Sequence, residues 1–152
     1  MKIYLATDHA GFRLKEEIKK FFLEQNFDVE DCGAFSIDPT DDYPLFIAKA
    51  AGEVSKDPEN AMGIIFGKSG AGEEIVANKF KNVRAVEGFS AENVRLSRVD
   101  NNANVLSLGS EFETLEKAKE LVEIFLKTPF SNDPRHVRRI EEIKNLEDDN
   151  LK

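Results

Sequence analysis

Residues 61–66, Ala-Met-Gly-Ile-Ile-Phe, form an apolar run with no polar interruption. The run is too short for a buried helix and shows no polar alternation, which is the pattern of a strand covered on both faces. Such a strand belongs inside a parallel sheet with helices on either side. The rest of the chain supplies those layers. Residues 3–7 read as a second buried strand. They are followed by a helix in which Leu14, Ile18, Phe21 and Phe22 recur at the spacing of one apolar face. Residues 27–31 read as a short strand and 32–42, with Gly33, Pro39 and three aspartates, as a loop. Residues 43–54 read as a helix that tolerates Pro44 in its first turn. After a glycine-rich segment at 67–72, residues 73–79 look helical, 83–86 a strand, 91–98 a helix and 104–108 a fifth strand. Leu115, Ala118, Leu121, Val122, Phe125 and Leu126 form another helical stripe. The chain turns beyond Pro129, and 137–146 read as a final charged helix. The tail, with Glu147, Asp148 and Asp149, is expected to fray. Strands alternating with helices predict an α/β fold, one domain over 1–152, whose five-stranded parallel sheet is covered on both faces.

Composition narrows the function classes. A chain of 152 residues can bury about two thirds of its unfolded surface, so it needs neither disulfide nor metal to hold a core. The net charge of −8 argues against binding to nucleic acid or to an anionic membrane. No apolar run approaches the roughly 20 residues of a membrane span, and residues 1–6 read as the start of a strand and not as a signal peptide. The single cysteine, Cys32, rules out an intrachain disulfide and fits a reducing cytoplasm. Two histidines and one cysteine leave little material for a transition-metal site.

Ligands of open parallel sheets sit beyond the carboxyl ends of the strands, so the loops after Thr7, Phe66, Val86 and Leu108 carry the interest. The first is Asp8-His9-Ala10-Gly11. Its carboxylate and imidazole can face a ligand; equally, Asp8 can cap the helix and His9 can satisfy local hydrogen bonds. The second is Gly67-Lys68-Ser69-Gly70-Ala71-Gly72-Glu73-Glu74. Three glycines in six residues let backbone N–H groups approach a ligand, and the following helix adds a positive end suited to an anion or oxyanion. The spacing is neither a P-loop nor a dinucleotide fingerprint, and a tight turn is the competing explanation. Glu73, in the first turn beside those amides, is placed to act as a proton-transfer base, or merely to complement the helix dipole. Glu74 points about 100° away, so at most one of the two faces the site. Arg135, His136, Arg138 and Arg139 cluster near the start of the last helix. Arg135 and Arg139 share a face, as a phosphate monoester or a set of local ion pairs would require.

Five ordered segments together resemble the ribose-5-phosphate isomerase B / galactose-6-phosphate isomerase family of sugar-phosphate isomerases. They are Asp8-His9-Ala10-Gly11, Asp42-Tyr43-Pro44, the Gly67–Glu73 loop with Ala77-Asn78-Lys79, Asn101-Asn102-Ala103-Asn104-Val105, and Arg135-His136 with Arg139. The resemblance covers nearly the whole chain. It implies a Rossmann-like α/β/α sandwich, no metal or organic cofactor, and a homodimer or tetramer with active sites shared between subunits. The C-terminal helix, about 136–147, would pack on a partner. The implied reaction interconverts aldose and ketose phosphates through a cis-enediolate. With Gly67 where other members carry a cysteine base, the chain resembles the subgroup that uses a glutamate, here Glu73, and Cys32 is incidental. Ser69 and the amides of Gly70, Ala71 and Gly72 would stabilise the enediolate oxygen. Asp8 would contact the sugar, Tyr43 would line the pocket with Asn101, and His9, Arg135, His136 and Arg139 would hold the phosphate.

Two positions depart from the pattern. Asp100 stands where the family usually has a histidine that assists ring opening; a carboxyl with a reference pKa of about 3.9 is a poor acid at neutral pH unless burial raises it. Glu111 stands where an arginine commonly contacts phosphate, and Lys68 is the residue that could compensate. These changes leave open ribose 5-phosphate, a six-carbon sugar phosphate, or a weakly catalytic sugar-phosphate-binding subunit beside a paralogous chain. A flavin-binding fold of similar outline is disfavoured, because the chain has no tryptophan and neither tyrosine sits in a stacking loop.

Overall fold

The computed structural model describes residues 1–151. The elements are β1 (Lys2–Thr7), α1 (Phe12–Glu24), β2 (Asp28–Asp31), α2 (Tyr43–Lys56), β3 (Ala61–Gly67), α3 (Ala71–Ala77), β4 (Ala85–Glu87), α4 (Ala91–Asn101), β5 (Val105–Gly109), α5 (Leu115–Lys127) and α6 (Pro134–Asn150). The strands form one five-stranded sheet in the order β2-β1-β3-β5-β4, parallel at every pairing. The predicted α/β sandwich is therefore present.

Strand periodicity divides the core. Ile3, Leu5, Ile64, Phe66, Leu106 and Leu108 point to one face, where they meet Ile18 and Phe22 of α1 and Leu121, Val122 and Phe125 of α5. Ala6, Ile65 and Val105 point to the other, against Ile47, Ala50 and Val54 of α2 and Ala77 of α3. Phe22, Phe66 and Phe125 are wholly buried, and such rings each contribute about 1.5–3 kcal/mol by leaving water.

Several boundaries move, each for a local reason. The helix expected from residue 73 begins at Ala71, because Gly70 at φ 91° turns the chain directly into it. It ends at Ala77, because the Asn78 side chain leaves the helix to bond both backbone groups of Ala85. The strand expected from 83 starts at Ala85. Asn82 occupies a left-handed conformation (φ 63°), and the Asn104 amide oxygen accepts the Arg84 N–H ahead of the ladder. The last helix starts earlier than 137, with Pro134 in its first turn and the Asp133 carboxylate accepting the Arg135 N–H. The tail expected to fray is helical through Asn150. Glu147 accepts the Asn82 N–H and Asp148 pairs with Lys81, which tie it to the β4 side of the sheet. Lys152, the end of that expected tail, lies outside the described residues.

Candidate active site

β1 and β3 are adjacent, yet their onward connections go to opposite sides of the sheet, to β2 and to β5/β4. Such a switch point opens a crevice at the carboxyl ends of the two strands. Thr7 stitches the crevice floor: its hydroxyl lies 3.0 Å from the Phe66 carbonyl and 2.9 Å from that of Asp8. Asp8 leaves β1 there and Gly67 ends β3.

The glycine loop is braced from behind. The Ser107 hydroxyl donates to the Gly70 carbonyl at 2.7 Å, and the Ser110 and Glu111 amides donate to the carbonyls of Gly67 and Lys68. Gly72 lies against Tyr43, whose hydroxyl would be only 2.8 Å from a Cβ at 72. The Ser69 hydroxyl oxygen accepts the Ala71 N–H at 3.3 Å. This holds a short row of amides beside Glu73.

Glu73 is the buried carboxylate of the loop, with 4% of the residue exposed, whereas Glu74 turns aside toward Glu87. The Glu73 carboxylate fills the space where a side chain at position 67 would begin, since a Cβ on Gly67 would fall inside it. Glycine at 67 and glutamate at 73 are thus one steric unit. Burial raises the Glu73 pKa above the ordinary glutamate value, and the nearby charges of Asp8 and Glu87 push the same way against bonds from backbone amides. A carboxylate so raised is a stronger base at neutral pH than a surface glutamate.

Asp8 does not cap α1, whose N-cap is Gly11 without a side-chain bond. One Asp8 carboxylate oxygen accepts the Ala10 N–H at 3.0 Å, bracing the turn that leads into α1, and the side chain lies beside the crevice near Glu73. His9 is held by a residue the sequence reading passed over. Asp41 Oδ1 accepts the His9 backbone N–H at 3.0 Å and lies 2.6 Å from its ring Nδ1. This hydrogen bond raises the His9 pKa above 6.5, with burial opposing and Asp8 assisting. Three aspartates in residues 38–42 were the available signal, but a partner 32 positions from His9 has no sequence periodicity to betray it.

Asp8, His9 and Asp41 each place one ligand atom within 4.8 Å of the others, the one such group of three among the described residues. The short Nδ1–Oδ1 distance is that of a charge-assisted hydrogen bond, so the geometry favours an imidazolium–carboxylate pair over shared ligation of a metal.

The His9 shift carries a sign. A raised histidine pKa keeps the ring cationic above pH 6.5 and releases the charge only as pH rises through the shifted value. Asp41→Asn is therefore expected to lower the His9 pKa toward about 6.5, as followed by NMR of the ring protons. It should raise KM for a phosphorylated substrate several-fold near pH 8 and little near pH 6. An unmoved His9 titration would remove Asp41 from this role.

The remaining candidates lie elsewhere in the subunit. α4 runs from the carboxyl edge of the sheet back toward its amino edge, and its 11 residues carry Asp100 and Asn101 about 16 Å along the helix from its start. His136 is buried there, with Nε2 3.4 Å from Asp100 Oδ1. Arg135 is exposed and pairs with Asp133, and Arg139 is exposed one turn further on. One subunit thus brings together Asp8, His9, Tyr43, Gly67, Ser69, Gly70, Ala71, Gly72 and Glu73 at the carboxyl edge, and separates from them Asp100, Asn101, Arg135, His136 and Arg139. Lys68 and Glu111 are both exposed, and among the described residues the Lys68 side chain makes no ion pair.

Comparison with known proteins gives the family and the fold. Residues 3–143 match the family described as Ribose/Galactose Isomerase. Ribose-5-phosphate isomerase B of Mycolicibacterium paratuberculosis is 43% identical over 141 residues, covering 93% of this chain and 88% of that protein. The Escherichia coli ribose-5-phosphate isomerase B is 37% identical over 146 residues, 96% of each chain. Among solved structures, ribose-5-phosphate isomerase B from Mycoplasma genitalium with bound ribulose-5-phosphate superposes with a TM-score of 0.94 at 37% identity, covering 97% of this chain and 96% of that one. With its fold matched almost end to end and the family model spanning all five strands, the chain belongs to the ribose/galactose isomerase family.

Proposed function

We propose that the protein is an aldose–ketose isomerase that interconverts ribose 5-phosphate and ribulose 5-phosphate through a cis-enediolate, with Glu73 as the base. The observation that carries this reading is a buried, basic carboxylate fixed beside the amides of the glycine loop, in a fold shared with a relative that holds ribulose-5-phosphate. Glu73 takes the proton from C2 of the open-chain aldose and returns it to C1, while the O2 hydroxyl proton passes to O1 and the carbonyl moves from C1 to C2. The negative charge that develops on the sugar oxygen meets the Gly70–Gly72 amides and the Ser69 hydroxyl. The imidazolium of His9, fixed by Asp41, holds the phosphate, and Asp8 orients the sugar hydroxyls. No metal or organic cofactor is invoked.

Asp100, Asn101, His136, Arg135 and Arg139 complete the site from a second subunit. Two features support a dimer: the division of these residues between opposite ends of one subunit, and an exposed apolar rim around the crevice. Phe35, Leu45, Phe89 and Phe112 are each between 68% and 71% exposed on loops and helix starts at the carboxyl edge, a burden a lone subunit rarely carries. Across that interface the Asp100–His136 pair brings an imidazole beside the aspartate at position 100.

A reducing cytoplasm suits the lone cysteine, whose thiol is pushed up to about 11 by burial and so stays protonated and unreactive. No helix among the described residues is long and apolar enough to cross a membrane.

The test is an NMR or coupled assay of the purified homo-oligomer on ribose 5-phosphate, allose 6-phosphate and galactose 6-phosphate, each beside its unphosphorylated sugar. Conversion of ribose 5-phosphate, lost on substitution of Glu73, is the expected result. Preference for a six-carbon phosphate would move the substrate and keep the mechanism. A folded protein silent on every sugar would point to a paralogous partner subunit.

A further inference from the structure

We infer that Arg13, in the first turn of α1, is a second phosphate ligand beside His9, so that each subunit carries its own two-cation anion subsite. This rests on the sugar-phosphate reading of the adjacent site. His9 and Arg13 line one cavity of about 530 Å3, together with Ala10, Ile37 and Ser110. The cavity lies at the amino end of α1 and opens next to the crevice. Asp41 occupies His9 Nδ1, which leaves Nε2 as the ring's available donor.

Arg13 is exposed and, among the described residues, makes no ion pair or side-chain hydrogen bond. Four other arginines are engaged: Arg95 pairs with Glu92, Arg135 with Asp133, and Arg84 and Arg98 donate to backbone carbonyls, while Arg138 and Arg139 on α6 are, among the described residues, unpaired like Arg13. α1 has no acidic residue in its first turn, and its N-cap, Gly11, offers no side-chain acceptor. The acids nearby are already engaged, Asp8 by the Ala10 N–H and Asp41 by His9, so within α1's own first turn nothing opposes the positive helix end beside the two cations. Glu17 also lines the cavity one turn further along α1, beyond ion-pairing distance of Arg13. A planar guanidinium beside an imidazolium matches a phosphate monoester, which accepts from both at once.

The experiment titrates inorganic phosphate into the full-length protein at fixed ionic strength, read by calorimetry and by phosphorus NMR, with steady-state kinetics on ribose 5-phosphate in parallel. Arg13→Ala is expected to weaken phosphate binding about tenfold and Arg13→Lys to restore part of it. KM for the sugar phosphate should rise in step with kcat little changed, since Arg13 does not reach the reacting carbons. Arg13 is exposed, so both variants should melt with the wild type. Phosphate affinity within twofold of wild type in Arg13→Ala, or no phosphate binding by the wild type, overturns the proposal. The two readings separate cleanly. Wild-type turnover with an indifferent Arg13 removes the subsite and keeps the isomerase. Arg13-dependent phosphate binding without turnover keeps the subsite and removes the isomerase.

Discussion

Glu73→Gln is expected to lower kcat by about three orders of magnitude, the middle of the range for loss of a positioned base, with substrate binding largely retained. The substitution keeps the shape that fills the space over Gly67 and removes only the ability to take a proton. Because burial raises the Glu73 pKa, the acid limb of the kcat/KM profile should lie above the ordinary glutamate value, and activity should fall as pH drops through it. The same shift has a stability consequence. A carboxyl whose folded pKa is raised binds its proton more tightly in the folded state, so the fold loses stability as pH rises from the unfolded pKa of about 4.3 through the folded value. Glu73→Gln should therefore raise the Tm at neutral pH while it abolishes turnover, the exchange of stability for activity expected of a functional residue. Gly67→Ala reaches the same carboxylate from the other side. Its Cβ has no room unless Glu73 moves, so kcat should fall about a hundredfold with the glutamate still present. Activity within tenfold of wild type in Glu73→Gln would take Glu73 out of the mechanism.

The sheet was legible because burial on both faces leaves its mark in single residues. The apolar run from Ala61 and the short apolar segments around Ile3 and Leu106 permit few other arrangements. The crevice was legible to the level of its loops, since the carboxyl ends of the strands follow from the βα order alone. What escaped was side-chain chemistry that competes with the backbone. Asn78, Asn82 and Asn104 together displace the start of β4 by two residues, through amide bonds that hydrophobic patterning does not register. Pro134 preceded by Asp133 was a readable helix start, obscured by the polar residues around it. Asp41 and Arg13 were out of reach for different reasons. Asp41 meets His9 only because the 32–42 loop folds back over β1, and Arg13 has significance only once a cavity beside His9 exists. The separation of Asp100 and His136 from Glu73 follows from α4 running the full depth of the sheet, a fact of three dimensions.

The loop that delivers Asp41 and Tyr43 depends on a buried charge, and Lys15→Met is expected to destabilise the protein by about 3 kcal/mol. Lys15 is a lysine on α1 with no exposed surface. Its ammonium donates to both Asp31 oxygens, at 2.7 and 2.8 Å, and to the Ala34 carbonyl at 2.6 Å. Those two residues bracket the point where the chain leaves β2, while the Cys32 and Ala34 amides continue the pairing to β1. Methionine retains the stem but leaves the Asp31 charge and the Ala34 carbonyl without their main donor. Lys19 at 2.7 Å and the Gly33 amide still bond Asp31, which places the cost at the lower end of what a broken buried pair exacts. For a chain of this size about 3 kcal/mol corresponds to a fall in Tm of roughly 10 °C. The pH dependence offers a second reading. Burial alone would raise the Asp31 pKa, but the bonds from Lys15, Lys19 and Gly33 overcome it and hold the carboxyl below its usual value. A depressed carboxyl pKa contributes stability that is present above the unfolded value of about 3.9 and is lost as pH falls through the folded one. In Lys15→Met that acid-side loss should flatten, because less stabilisation remains to be titrated away. The double variant Lys15→Met with Asp31→Asn should recover part of the lost stability, since it removes the stranded charge together with its partner. A Tm within 2 °C of wild type for the single variant would mean that Lys19 and the loop backbone carry Asp31 unaided. Restored stability in the double variant without restored kcat/KM would show that the ion pair aims the loop at the crevice, over and above holding it to the sheet.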